Sequence, residues 1–133
     1  DSGTAAPKDL RWAAVFQEDR LLEHLDAAGN LRFALGAAYD GQEAARLLEE
    51  LGIGDVGEKK VRDYSGGMKR RLALARALLA PCDALALDEP FTGLDAGNRD
   101  IALSCILRAA EKRIVLLAAH EALDLPDAHT VQM

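Results

Sequence analysis

No apolar run in this chain approaches the ~20 residues a helix needs to cross a bilayer, so any membrane role is expected to come through a partner and not by direct insertion. Basic charge is also in deficit, with 16 Lys and Arg against 22 Asp and Glu and a net charge of −6. A general nucleic-acid binder needs a basic face, so nucleic acid is not an expected partner. Cysteine is sparse: Cys82 and Cys105 lack ligand-like spacing and a nearby histidine pair. They read as free, buried thiols of a reducing compartment. The chain opens DSGTAAPKD, with neither an initiating methionine nor a signal-peptide pattern, and is expected to be cut from something longer. Its 133 residues, half of them apolar, are enough for one domain with a core.

Three short, nearly continuous apolar runs predict parallel strands covered on both faces: Arg11–Phe16, Asp83–Leu87 and Arg113–Ala119. Between the last two, Ala96–Lys112 has the apolar content of a crossover helix, making a βαβ unit. Ala44, Leu47, Leu48 and Leu51 recur at helical spacing, with Gly52 placed to cap the C-terminus. Met68, Leu72, Ala75 and Leu79 mark a second helix that Pro81 ends. From about Arg20 to Arg62 no strand is expected, and the segment reads as a helical lobe inserted between the first strand and the βαβ unit.

In open parallel sheets, ligands bind beyond the carboxyl ends of the strands. Those positions carry Gln17, then Asp88 and Glu89, then His120. Singly each has a plain reading: Gln17 as a helix cap, Asp88-Glu89-Pro90 as a turn, His120 as a satisfied histidine. Together they suit metal-assisted phosphoryl transfer. Asp88 offers magnesium one fixed carboxylate, Glu89 can orient or deprotonate a water, and Gln17 can act as a neutral ligand to metal or water. His120 can donate to a terminal phosphate oxygen. The stretch YSGGMKRR adds Ser65 and the Gly66 and Gly67 amides at a helix start, where anions are held. Its cluster Lys69–Arg71 reads as a solvated helix face, with phosphate screening as the alternative.

The run from Tyr64 to Asp100 resembles the nucleotide-binding subunits of ATP-binding cassette (ABC) transporters. Tyr64–Met68 is similar to the signature motif, Ala84–Glu89 to Walker B with its catalytic glutamate, and Gly93–Asp95 to the D-loop. His120 falls at the switch histidine, Val15–Leu22 resembles the Q-loop, and DSGT the turn after the phosphate-binding helix. The resemblance implies an α/β fold: a partial P-loop NTPase-like sheet with an inserted helical subdomain. Residues 1–19 and 67–133 would form the core and 20–66 the helical subdomain carrying the signature region. It implies ATP and Mg2+ as cofactors, with Asp88 and Gln17 toward the metal and Glu89 and His120 catalytic. Ser65, Gly66, Gly67 and Met68 would hold ATP bound by an opposite subunit, with Asp95 organising the dimer interface. The implied partners are transmembrane permease subunits and a second nucleotide-binding subunit, placing the chain in the cytoplasm at the inner membrane face. The motifs look most like those of import-type subunits serving small anions such as sulfonates and nitrate.

One departure is large. No glycine is followed by lysine, and no lysine by serine or threonine, so the phosphate loop G-x-x-x-x-G-K-[ST] does not occur. The chain alone is therefore expected to lack useful ATP turnover, and an exposed core edge is expected to favour self-association. The alternative is a naturally short, non-hydrolytic regulatory or assembly module that keeps the signature surface.

Overall fold

A computed structural model describes residues 11–16 and 19–118. The element order is β1 (Trp12–Val15), α1 (Ala27–Leu35), α2 (Gly41–Glu50), α3 (Gly66–Leu79), β2 (Ala84–Asp88), α4 (Ala96–Ala110) and β3 (Ile114–Ala118), with short 3-10 turns after α1 and before α3. Each α-helix opens on an acceptor side chain. Asp26 takes the Gly29 amide, Asp40 those of Gln42 and Glu43, Ser65 that of Met68, and Asp95 that of Asn98. At the end of α2, Gly52 sits at φ +81. Its amide donates to Glu49 O, and that of Ile53 to Leu48 O, the paired closure that a left-handed glycine permits.

The three strands are parallel in the order β1-β2-β3, with Trp12 opposite Ala84 and Ala84 opposite Ile114. Both connections step the same way across the sheet, so right-handed crossovers put all helices on one face. Burial agrees. Ala13, Val15, Leu85, Leu87, Val115 and Leu117 point into the core with Leu31, Leu51, Leu72 and Leu74. On the other face Trp12, Ile114 and Leu116 are 53%, 55% and 54% exposed. The expectation of strands covered on both faces is thus corrected. Among the described residues one face is covered, because each apolar run fills both faces whether or not a second helical layer packs there. As expected, no strand lies between Arg20 and Arg62, and Cys82 and Cys105 are free and buried.

Helix α3 packs against α1, α2, β1 and α4. Leu72, Ala73, Leu74 and Ala75 are all buried, and four successive residues sweep past a full turn. A helix buried all round has no solvated face to give its charges.

Candidate functional site

Ser65 caps α3 by accepting the Met68 amide on Oγ at 3.1 Å. The first amides of a helix have no acceptor within it, so those of Gly66 and Gly67 must look outside for one. The positive end of the helix dipole points the same way. Nothing lies within 4 Å of a Cβ added at Gly66, so the approach to these amides is open there. The Ser65 hydroxyl proton still has a bond to donate after Oγ has accepted. Met68 contributes differently, its side chain being half-buried against the core.

The turn between β2 and α4 closes one side of this helix start. A Cβ added at Gly67 would stand 3.0 Å from Gly93 O and 3.7 Å from Leu94 Cδ2. Gly93 itself has φ +82, which only glycine adopts readily. The structure thus brings Ser65–Gly67 and Gly93–Asp95 together on one surface.

Asp88 is the last residue of central strand β2, opposite Ala118 and on the uncovered face by strand alternation. Glu89 follows at φ +53, and its amide extends the ladder to Ala118 O at 2.8 Å. A non-glycine residue in this region is strained, and such strain collects at functional sites. Among the described residues no group of three or more His, Cys, Asp or Glu could hold a metal ion. A single strand-end carboxylate such as Asp88 could serve Mg2+ only where water and phosphate supply the other ligands. Gln17, His120 and the DSGT stretch lie outside the described residues.

Lys69, Arg70 and Arg71 do not form the solvated face expected of them. Arg70 is buried, donates to Phe16 O at 2.6 Å and pairs with Asp19 Oδ1 at 3.2 Å. That contact is within ion-pair range but misaligned for a hydrogen bond, which leaves Oδ1 without one. Burial raises the Asp19 pKa, against the opposing pull of Arg70, Arg76 and Lys69. Lys69 pairs with Glu23 across an open groove of about 270 Å³ lined by Asp19, Arg20, Leu21, Glu23 and Lys69. Arg71 bonds three acceptors: Leu51 at the C-cap of α2, Gly67 on α3 and Asn98 on α4. Arg76, further along α3, donates to Asp19 O and Arg20 O at 2.7 and 3.0 Å. Sequence reasoning read Arg70 and Arg71 as part of a solvated face and passed over Arg76, Asp19 and Asn98. The available signal was Leu72–Ala75, a run that leaves neighbouring charges no water to face.

Two further groups sit at the margins. The Tyr64 ring is buried ahead of the cap, its hydroxyl beside the Ala27 amide without hydrogen-bonding to it. Burial, then the Asp26 charge, raises its pKa. Burial pushes the Cys105 thiol up to about 11, with the nearby Glu50 carboxylate adding to it. Cys105 is therefore held as the neutral thiol, the less nucleophilic form, near neutrality.

Residues 4–92 match the ABC transporter family model. The chain is 38% identical over 120 residues to the aliphatic sulfonates import ATP-binding protein SsuB 1 of Pseudomonas savastanoi, covering 86% of this chain and 51% of that protein. It is 47% identical over 92 residues to the molybdenum import ATP-binding protein ModC of Rhizobium meliloti, covering 67% and 26%. The chain thus spans about half the length, or less, of these relatives. A Pyrococcus furiosus protein described as an ABC transporter ATP-binding protein superposes with a TM-score of 0.79 at 25% identity, covering 88% of this chain and 60% of that one. The parallel sheet and its helices are therefore part of a P-loop NTPase-like fold, as expected. The chain belongs to the ABC transporter family, to its ATP-binding component.

Proposed function

We propose that these residues form the signature half of a two-subunit ATP site in an import-type ABC ATPase. The observation that carries the reading is the meeting of the Ser65–Gly67 helix start with the Gly93–Asp95 turn on one surface. Amides, a hydroxyl and a helix dipole face one surface there, a combination that suits an anion. The terminal phosphate of ATP held by a second subunit fits that half-site.

In this reading Asp88 supports Mg2+ through water, and Glu89 polarises the attacking water. Mg2+, when bound, neutralises charge on the phosphates. Gln17 and His120 are proposed to contact metal and terminal phosphate, and Asp95 to order the subunit interface. Residues 1–19 and 67–133 act as the core subdomain and 20–66 as the helical one. The open groove lined by Asp19, Arg20, Leu21, Glu23 and Lys69 supports docking of a transmembrane permease there. No described helix is long and apolar enough to cross a membrane. The family reading puts the working place at the cytoplasmic face of the membrane. The import direction and an anionic cargo rest on the sulfonate and molybdenum relatives.

The 133 residues alone are expected to bind ATP weakly and release no phosphate. Magnesium-dependent turnover by the chain, blocked by Glu89→Gln, would sink that claim. In the assembled transporter, Ser65→Arg should abolish turnover while leaving ATP bound. Unchanged turnover there refutes the trans-site reading.

A further inference from the structure

Arg71 ties the helix start to the turn before α4 by a polar route. Its Nε donates to Gly67 O at 3.2 Å, and its Nη1 donates to Leu51 O at 3.0 Å and to Asn98 Oδ1 at 3.2 Å. Asn98 passes the link on. Its backbone amide donates to Asp95 Oδ1 at 2.8 Å and its Nδ2 to Asp95 Oδ2 at 3.3 Å. Both oxygens of the Asp95 carboxylate are therefore oriented by one residue, which Arg71 orients in turn.

The surroundings are shaped to admit the guanidinium. A Cβ at Gly52 would stand 3.1 Å from Arg71 Nη1, and Gly52 is also left-handed at φ +81. Nη1 thus reaches the carbonyl end of α2, where the helix dipole favours a cation. On the far side, the packing of Gly67 on Gly93 O provides a second, steric link between the same two loops.

We propose that Arg71, acting through Asn98, is a positioning residue that fixes the Gly66–Gly67 amides and the Asp95 carboxylate in a single register. The surface offered to a second, nucleotide-bearing subunit is then assembled before that subunit arrives, and no ordering is left to binding. This significance rests on the trans-site reading above; the link itself does not. A lysine cannot replace the arginine. An ammonium is a compact charge on a flexible stem, whereas the guanidinium spans acceptors from three elements in a fixed plane.

The test is amide hydrogen exchange on the 133-residue chain with Arg71→Lys, Asn98→Ala and the double variant. Arg71→Lys, made on α3, should speed exchange of the Leu94 and Asn98 amides by about tenfold, the weight of one lost hydrogen bond in local opening. Asn98→Ala, made on α4, should speed exchange at Met68 and Lys69 by a similar factor. The Leu74 and Leu87 amides should not change, and the double variant should open either loop no further than the single ones. Loosening confined to the substituted loop overturns the proposal, and so does a uniform rise that includes Leu74 and Leu87. A second arm separates the link from the reading it rests on. In the assembled transporter, Arg71→Lys should lower kcat for ATP with KM unchanged. Reciprocal loosening with kcat intact leaves the link standing and removes the trans-site reading.

Discussion

Gly67 and Gly93 meet backbone to backbone: a Cβ on Gly67 would stand 3.0 Å from Gly93 O. The listener to that contact is a rigid carbonyl in a left-handed turn, not the far end of a flexible side chain.

Alanine at Gly67 must therefore push the turn aside, and overpacking of this kind costs about 1–3 kcal/mol. Alanine at Gly66 meets nothing within 4 Å and gains helix propensity of up to about 1 kcal/mol. Urea midpoints should rank Gly66→Ala at or above the parent and Gly67→Ala below it. Equal midpoints would show that the two loops yield to each other freely.

Arg70 and Asp19 form a second junction, with side chains only 6% and 20% exposed. Removing one partner of a buried pair leaves an uncompensated charge, so Arg70→Ala is expected to destabilise by about 3–5 kcal/mol. The loss should shrink when Asp19→Asn is already present. The pH dependence has a definite sign. Burial raises the folded pKa of Asp19 above 3.8, so its protonated form is favoured by the fold. That contribution is complete below pH 3.8 and is lost as pH rises through the folded value. Asp19→Asn keeps the neutral form throughout. Its stability relative to the parent should climb from pH 3.8 upward and then level off, as read from urea midpoints. A relative stability that falls over that range contradicts the burial argument.

These two junctions also mark where sequence reading stopped. The strands were legible because Trp12–Val15, Ala84–Asp88 and Ile114–Ala118 are dense apolar runs. The Gly52 cap and the helix start at Ser65 were legible locally, since both act on bonds a few residues away. Which face of the sheet is covered is not a local property. Ile114 and Leu116 are as apolar as Val115 and Leu117, yet only the latter pair packs into the core. The basic cluster failed for the same reason. Arg70 and Arg71 reach Phe16 and Leu51, 54 and 20 residues away, and no local pattern carries such a pairing.

The Tyr64 hydroxyl is buried with no hydrogen-bond partner among the described residues, a state worth about 1–3 kcal/mol of lost solvation. Tyr64→Phe removes the orphaned group and keeps the ring in the core. The variant should be more stable than the parent by about 1 kcal/mol in thermal or urea unfolding. A destabilised phenylalanine variant would mean that the hydroxyl has a bonding role.

Glu89 holds φ +53 at the end of the central strand, where any side chain other than glycine is strained. Comparing Glu89→Gly with Glu89→Ala isolates that strain, because both delete the carboxylate and whatever it touches. Glycine should be the more stable of the two by about 1 kcal/mol, the relief at a left-handed position exceeding the entropy glycine adds to the unfolded chain. An alanine variant equal to the glycine one would show that the backbone relaxes without help. The expected order has a functional meaning. Glycine would fit this backbone better, so the glutamate is held there against its conformational preference. That is what a water-polarising role at Glu89 requires, and Glu89→Gln, which keeps the strain, should then abolish ATP turnover in the assembled transporter.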